Sequence, residues 1–272
     1  MGLRVRVRPK KGYNRVIGPG EGGLKLVEFG ILNLSEGDSF NQNADEKETG
    51  LVVLSGKCTV RVDGAIFEAI GGRQDVFSGL AHAVYIPCKK SYEVEALSDV
   101  EIALCKAPSD LEGDARLITP DQVNIRSAGK LNWRRDIRDI IGPDFPARHL
   151  LVGETLNPPG NWSSVPPHRH DFNNPPEEVD MEEVYFFKIK PKGGFGVQRI
   201  YTDDRSVDEI YTIEENDTVI IPEGYHPVTA APGYSICYLW VLAGEERVMR
   251  PRSDPQHAWL SDIEPILDEI GL

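Results

Sequence analysis

Pro166-Pro167-His168-Arg169-His170, Glu183-Val184-Tyr185 and Pro222-Glu223-Gly224-Tyr225-His226 are the stretches on which the reading of this 272-residue chain turns. They hold three of its six histidines. On a strand, side chains alternate between faces, so a His-x-His pair points both imidazoles to one side. Glu183 opens a second apolar, aromatic run, and His226 follows a third, Thr218-Val219-Ile220-Ile221. Three strand-like segments thus deliver nitrogen and oxygen donors toward what one point could gather. Three His and one Glu suit zinc, manganese or iron and leave coordination positions open for substrate or water. Any one of these histidines alone reads better as a surface or core residue, and His-x-His beside Pro-Pro can be a loop feature. The combination favours a metal ligated by His168, His170, Glu183 and His226, with zinc first.

Working outward, the rest of the chain reads as strands. Gly50 to Gly56 brackets a short apolar run, and Cys58 to Val62 alternates up to Asp63-Gly64, a hairpin signal answered by Ile66-Phe67-Glu68-Ala69. Runs at 83–87, 92–96 and 100–104 follow, and many short strands separated by turn residues argue for an all-β sandwich or barrel. The second half repeats the plan. Phe29-Gly30-Ile31-Leu32 followed by Gly37 matches Val152-Gly153-Glu154-Thr155 followed by Gly160, at the same interval. Val84-Tyr85-Ile86-Pro87 likewise matches Val219-Ile220-Ile221-Pro222. The segment 109–146 between the halves is richer in charge, Gly and Pro. Its run Arg134 to Ile141 reads as an exposed strand or a short helix with a solvated charged face. At the C-terminus, Ser261-Asp262-Ile263-Glu264 has the form of a capping box, Pro265 would fall in the first turn, and Ile263, Ile266, Leu267 and Ile270 share a helical face. The spacer 171–182 is acidic and broken by Pro175-Pro176, so it is expected as a loop at the mouth of the site, a lid or a passive surface loop.

Composition narrows the function. With 43 acids against 30 bases the net charge is −13, which argues against nucleic acid and anionic membrane surfaces as partners. A small anionic substrate stays compatible, because one local arginine overrides the global field. The N-terminus alternates charge with apolar residues and lacks a signal-peptide core. Four cysteines (58, 88, 105, 237) without CxxC spacing read as thiols in a reducing compartment, so a cytoplasmic location is expected.

The order His-x-His, Glu, Pro-x-Gly, His resembles the cupin signature, and the strings PPHRHDFNNPPEE, EEVYFFKIKPKGGFGVQRIYTDDRSVDE, IPEGYHPV and GYSICYLWVLAG are similar to the 5-deoxy-glucuronate isomerase family. The resemblance is dense from Ala147 to Gly244 and thinner before it. It implies two tandem cupin-type β-barrels with a short C-terminal helix, residues 1–130 forming a metal-free N-terminal barrel and 131–272 the barrel that carries the metal. It also implies an aldose–ketose isomerase of inositol catabolism acting on a sugar acid, and a homo-oligomer. A cupin dioxygenase and a non-catalytic sugar-acid-binding bicupin are the competing readings.

For such a reaction a base or a hydride shift moves hydrogen between neighbouring carbons, and a cation is needed to grip the substrate carboxylate. If Glu183 points inward, Tyr185 and Phe187 do too. In the strand from Gly196 to Tyr201, either Gln198 or the pair Arg199 and Tyr201 faces in. Arg199 is expected either to hold the carboxylate by its bidentate fork or to pair with Asp203, Asp204 or Glu209. Tyr238 is a further candidate, while His149 and His257 read as structural.

Overall fold

Asp63 and Gly64 both take positive φ, 45° and 99°, and join the antiparallel strands Lys57–Val62 and Ala65–Gly71. The turn follows from residue type, since aspartate tolerates the left-handed region and glycine enters it freely. The computed structural model describes residues 2–271. Around this hairpin the first half builds a four-stranded sheet and a six-stranded sheet, with an apolar core between them that includes Leu51, Val53, Val60, Val94 and Leu104.

The second half repeats the arrangement. A seven-stranded sheet runs in the order Arg4–Arg6, Asp217–Ile221, Glu182–Lys190, Ser235–Ala243, Leu150–Asn157, Arg135–Ile141, Asn124–Ala128. Opposite it lies a sheet of Trp162–Ser163, Val228–Ala230, Gly196–Tyr201 and Asp208–Ile213. Among the described residues no sheet closes on itself, so each half is a pair of facing sheets rather than the expected closed barrel. Two strands from before residue 130, Arg4–Arg6 and Asn124–Ala128, sit in the seven-stranded sheet, so the chain crosses between halves at both places.

The two large sheets also pack on each other, through a third core that joins Phe29, Val52 and Cys105 to Val152, Phe186 and Val241. This explains why the central strands read as continuous apolar runs: both faces are covered. Along Glu182–Lys190 the alternation is strict. Val184 and Phe186 face the other half, whereas Tyr185, Phe187 and Ile189 face the second half's own core. Glu183 shares the inward parity. Gly30 and Gly153, paired from sequence symmetry, occupy matching places and lie beneath aromatic rings. A Cβ there would come within 2.5 Å of Tyr13 and 2.1 Å of Trp240.

Carboxylates tie the halves together, Glu48 and Glu154 buried and Glu182 half-buried. Glu48 accepts the N–H groups of Arg148, His149 and Leu150 and the Tyr85 hydroxyl. Glu182 accepts three consecutive N–H groups, of Lys25, Leu26 and Val27. Arg73 forks onto Glu154, with Arg138 on the same carboxylate. The C-terminal helix spans Trp259–Glu269, and a tight turn from Asp254 carries it two residues ahead of Ser261, with Ala258 at its cap. Ser261 therefore caps nothing, and Pro265 lies inside the helix rather than in its first turn. Ile263 and Leu267 are half-buried; Ile266 and Ile270 are exposed.

Candidate metal centre and substrate cavity

Glu183 enters the interior of the second half from the first turn of strand Glu182–Lys190, opposite Ile221 on the neighbouring strand. Four residues past Ile221, after the chain turns at Gly224 (φ 95°), comes Tyr225, and then His226. A side chain at Gly224 would collide with the Tyr201 carbonyl, 2.8 Å from its Cβ. His168 and Arg169 form a two-residue strand against Arg252–Ser253, and His170 follows directly. His170 Nε2 lies 3.2 Å and His226 Nε2 3.3 Å from the same Glu183 oxygen. The His168 ring packs edge-on to His226, with centroids 4.8 Å apart.

All three rings are held in one tautomer. His168 Nδ1 donates to the Pro166 carbonyl at 3.3 Å, His226 Nδ1 to the Gly224 carbonyl at 2.9 Å, and His170 Nδ1 to the Met181 carbonyl. A carbonyl only accepts, so Nδ1 carries the proton, and in the neutral rings of His168 and His226 Nε2 keeps its lone pair. The long spacer has a use here: Met181, at its end, orients His170, and Asp171, at its start, accepts the Gly224 N–H through both oxygens. Glu178 accepts the N–H of Asp171 and the guanidinium of Arg169, which pins the spacer's base.

The electrostatics fit a bound cation. Burial pushes His168 and His226 down to about 3, so both rings are neutral. Burial also opposes protonation of His170, but the hydrogen bond and charge of Glu183 outweigh it and raise its pKa. His226 Nε2 is buried with no hydrogen-bond partner, an atom that costs free energy unless something accepts its lone pair. Donors held about 2.0–2.1 Å from one tetrahedral ion stand about 3.3 Å apart; the two Glu183 distances match that spacing, the donor atoms of His170, Glu183 and His226 all lie within 4.8 Å of one another, and His168 stands outside this group.

Beside the centre is a cavity of about 220 Å³, lined by His168 and Glu183 together with Tyr185, Tyr238, Ser163, Ser164, Arg135, Arg126 and the C-terminal residues Met249 and Pro251. Tyr185 and Tyr238 stack with centroids 4.4 Å apart, and their hydroxyls bond to Ser164 and Ser163 respectively. Burial raises both phenols above their ordinary value, so both stay protonated.

The strand Gly196–Tyr201 resolves as the alternation allowed, with Gln198 and Ile200 inward. Buried Gln198 donates to the His226 carbonyl at 3.4 Å. Arg199 and Tyr201 point away from the cavity. Arg199 forks onto Asp208, 2.9 Å to each oxygen, and Tyr201 donates to Asp254. Arg199 therefore makes an ion pair, but with Asp208 rather than the expected Asp203, Asp204 or Glu209, because inward parity belongs to the even positions. Sequence reasoning passed over Ser163, Ser164, Arg126, Arg135 and the segment carrying Met249 and Pro251. For Arg135 the signal was present: Arg135 and Ile137 alternate within the run read as a charged surface, and both line the cavity. The halves' other histidine candidates stay outside the cluster. His149 bonds the Gly244 carbonyl, and His257 lines a separate apolar groove with Trp162 and Leu260.

Comparison with known proteins bears on this geometry. The model of the KduI/IolB family matches residues 5–260. A 5-deoxy-glucuronate isomerase of Geobacillus thermodenitrificans is 43% identical over 245 residues, covering 90% of this chain and 89% of the relative. That of Bacillus subtilis strain 168 is 40% identical over 239 residues, covering 87% and 88%. Among solved structures, an IolB-like protein from Salmonella typhimurium superposes with a TM-score of 0.93 at 35% identity, over 96% of this chain and all of the other. A Bacillus subtilis oxalate decarboxylase variant superposes with a TM-score of 0.65 at 10% identity, over 100% and 84%, which shows a shared fold alone. The fold is mostly β and cupin-like.

Proposed function

Because the chain belongs to the KduI/IolB family, we propose that it is a 5-deoxy-glucuronate isomerase of inositol catabolism, an aldose–ketose isomerase forming 5-dehydro-2-deoxy-D-gluconate with a divalent metal held by His168, His170, Glu183 and His226. The observation that carries the metal is the single buried point on which two imidazole Nε2 atoms and a carboxylate oxygen converge, the His226 Nε2 having no hydrogen-bond partner. Zinc is the expected ion, and manganese or iron suit the same donors. Bound there, the ion supplies a Lewis acid that polarises the substrate carbonyl.

The chain's own groups do the rest. Isomerisation moves one hydrogen between adjacent carbons and one between their oxygens. Tyr185 and Tyr238, kept protonated by burial, present O–H donors to the sugar oxygens, and Ser163 and Ser164 fix the direction of those hydroxyls. Gln198 holds the His226 backbone and so positions that ring. The cavity has room for one sugar acid and little bulk water, which strengthens every polar contact inside it. The tandem-domain division at residue 130, with the first unit metal-free and the second carrying the metal, remains part of this reading, as do a homo-oligomeric state and a cytoplasmic location. All four cysteines are buried and unpaired, and no helix is long and apolar enough to cross a membrane.

The deciding experiment is anaerobic turnover of 5-deoxy-glucuronate by purified protein, with and without a chelator and with His168→Ala alongside. Oxygen-independent turnover lost in both controls is expected. Turnover that survives chelation would remove the metal from the mechanism, and turnover that requires oxygen would favour the dioxygenase.

A further inference from the structure

Arg135 is a cation without an acid. It stands at the start of strand Arg135–Ile141 and lines the cavity that His168 and Glu183 also line. Its Nη1 donates to the carbonyls of Trp133 at 3.3 Å and Val165 at 3.0 Å, and no carboxylate among the described residues lies within ion-pair distance of it. Arg138, by contrast, lies 3.6 Å from Glu154, and Arg169 contacts Glu178 and Asp203; Arg247 also meets carbonyls alone, but away from the cavity. Burial pulls the Arg135 pKa down, as expected for a charge whose compensation is not built into the chain. Strand pairing puts Arg126 on the same sheet face, since Arg126 opposes Ile137 and Ala128 opposes Arg135. Arg126 lines the cavity too, held 3.6 Å from Asp139 and half exposed. Two guanidinium groups on one small cavity run against a chain of net charge −13.

We propose that Arg135, assisted by Arg126, binds the carboxylate of the sugar acid and thereby fixes which end of the substrate meets the His–Glu cluster. The proposal rests on the isomerase reading above and assigns its carboxylate grip to these residues in place of Arg199. A guanidinium fork matches a carboxylate with two parallel N–H···O bonds, and the remaining N–H groups of Arg135 have no acceptor of their own. With the acid end on Arg135 and the other end at His168 and Glu183, Tyr185 and Tyr238 face the middle of the molecule. Arg135 is thus a specificity residue: a neutral sugar of equal size leaves its charge unpaired inside the cavity.

The test compares wild type, Arg135→Gln, Arg135→Lys and Arg126→Gln. The loss of charge-assisted hydrogen bonds predicts KM for 5-deoxy-glucuronate about 10- to 100-fold higher in Arg135→Gln, with kcat within a few-fold and bound zinc unchanged. Arg135→Lys should fall between, and Arg126→Gln should cost less than Arg135→Gln. Binding of D-glucuronate against D-glucuronamide, followed through Trp240 fluorescence in the cavity wall, reads the same contact without turnover. Wild type should prefer the acid, and Arg135→Gln should lose that preference. If Arg135→Gln does not fold, Arg135→Lys carries the test through its raised KM and retained preference for the acid. Active wild type with an unchanged KM in the folded variants overturns the anchor and leaves the isomerase standing. Wild type without turnover overturns the isomerase, and the anchor then stands or falls on whether Arg135→Gln abolishes the preference for glucuronate over glucuronamide. No such preference in wild type overturns it.

Discussion

Thr49 and Glu183 stand at matching places in the two halves. Each opposes the isoleucine that precedes a proline, Ile86 before Pro87 and Ile221 before Pro222. On the next strand Lys106 opposes Thr49 and Leu242 opposes Glu183; one strand further, Glu28 matches Leu151. The frame is shared and the chemistry exchanged. In the first half the inward positions carry a lysine and a glutamate, with Lys106 Nζ 3.4 Å from Glu28 and 3.1 Å from Gln42. Lys47 completes that group at 2.7 Å from Glu28. Its charges are satisfied by its own side chains. In the second half the same two strand positions are leucines, and the neighbouring carboxylate meets His170 and the neutral ring of His226, the latter with an unmatched lone pair. One mouth is closed by an internal ammonium; the other gathers two imidazoles on one carboxylate with no ammonium among them.

The largest effects should come from exchanging chemistry within this frame. Glu183→Gln removes the only charge among the four donors and should lower zinc affinity and turnover by at least about 100-fold, read by metal analysis and by kcat. Lys106→Met, its counterpart, should leave kcat and zinc content unchanged and cost about 1–3 kcal/mol in urea unfolding, because Glu28 and Gln42 lose a buried partner. A catalytic loss in Lys106→Met would break the comparison, since it would make the first mouth part of the site.

A smaller effect separates the mouths by pH. Burial pushes the Glu28 carboxyl up, but Lys47 and Lys106 outweigh it and hold its pKa below 4.5. A carboxyl depressed in the folded state stabilises fully above its unfolded pKa and loses that contribution as pH falls through the folded value. Wild type should therefore lose stability faster than Glu28→Gln as pH drops below about 4.5, measured by denaturant midpoints across that window. Parallel slopes for wild type and Glu28→Gln would mean that the first mouth does not hold its charges as drawn.

The gathering of His170, Glu183 and His226 at one buried point was legible because such donors stand at particular parities on two of the segments singled out by pattern and directly after a third, with His168 beside them but outside the group. The Asp63-Gly64 hairpin and the Gly30/Gly153 symmetry were legible for the same reason: only certain residues take a positive φ or lie under a ring. Barrel closure was not, because it depends on hydrogen bonds between sheet edges, which no local pattern encodes. The helix start was missed because the turn from Asp254 to Ala258 extends it backwards past the Ser261 signal. The cavity arginine was missed because a charge opposite a long-range partner surface looks like a solvated charge. Nothing near Arg135 in sequence announces Ser163, Tyr238 or Met249, which arrive from two other strands and the C-terminal segment.

The smallest predicted effect sharpens the same point about where a charge faces. Arg199 and Arg135 both lie on strands of the second half, and both are arginines beside aromatic residues. Arg199 faces outward, forks onto Asp208 and covers the Tyr201 ring at 4.4 Å; more than a third of each charged side chain is exposed. Exposed pairs of this kind contribute about 0–1 kcal/mol, since water screens the attraction and holding two long side chains costs entropy. Arg199→Ala should therefore change unfolding stability by no more than about 1 kcal/mol and leave the KM for 5-deoxy-glucuronate unaltered. A raised KM in Arg199→Ala, with Arg135→Gln unaffected, would transfer the carboxylate grip back to the outer face and require the strand Gly196–Tyr201 to present its odd side to substrate. The buried Gln198 and Ile200 on the even side, and the hydrogen bond from Gln198 to the His226 carbonyl, are the contacts that such an outcome would have to break.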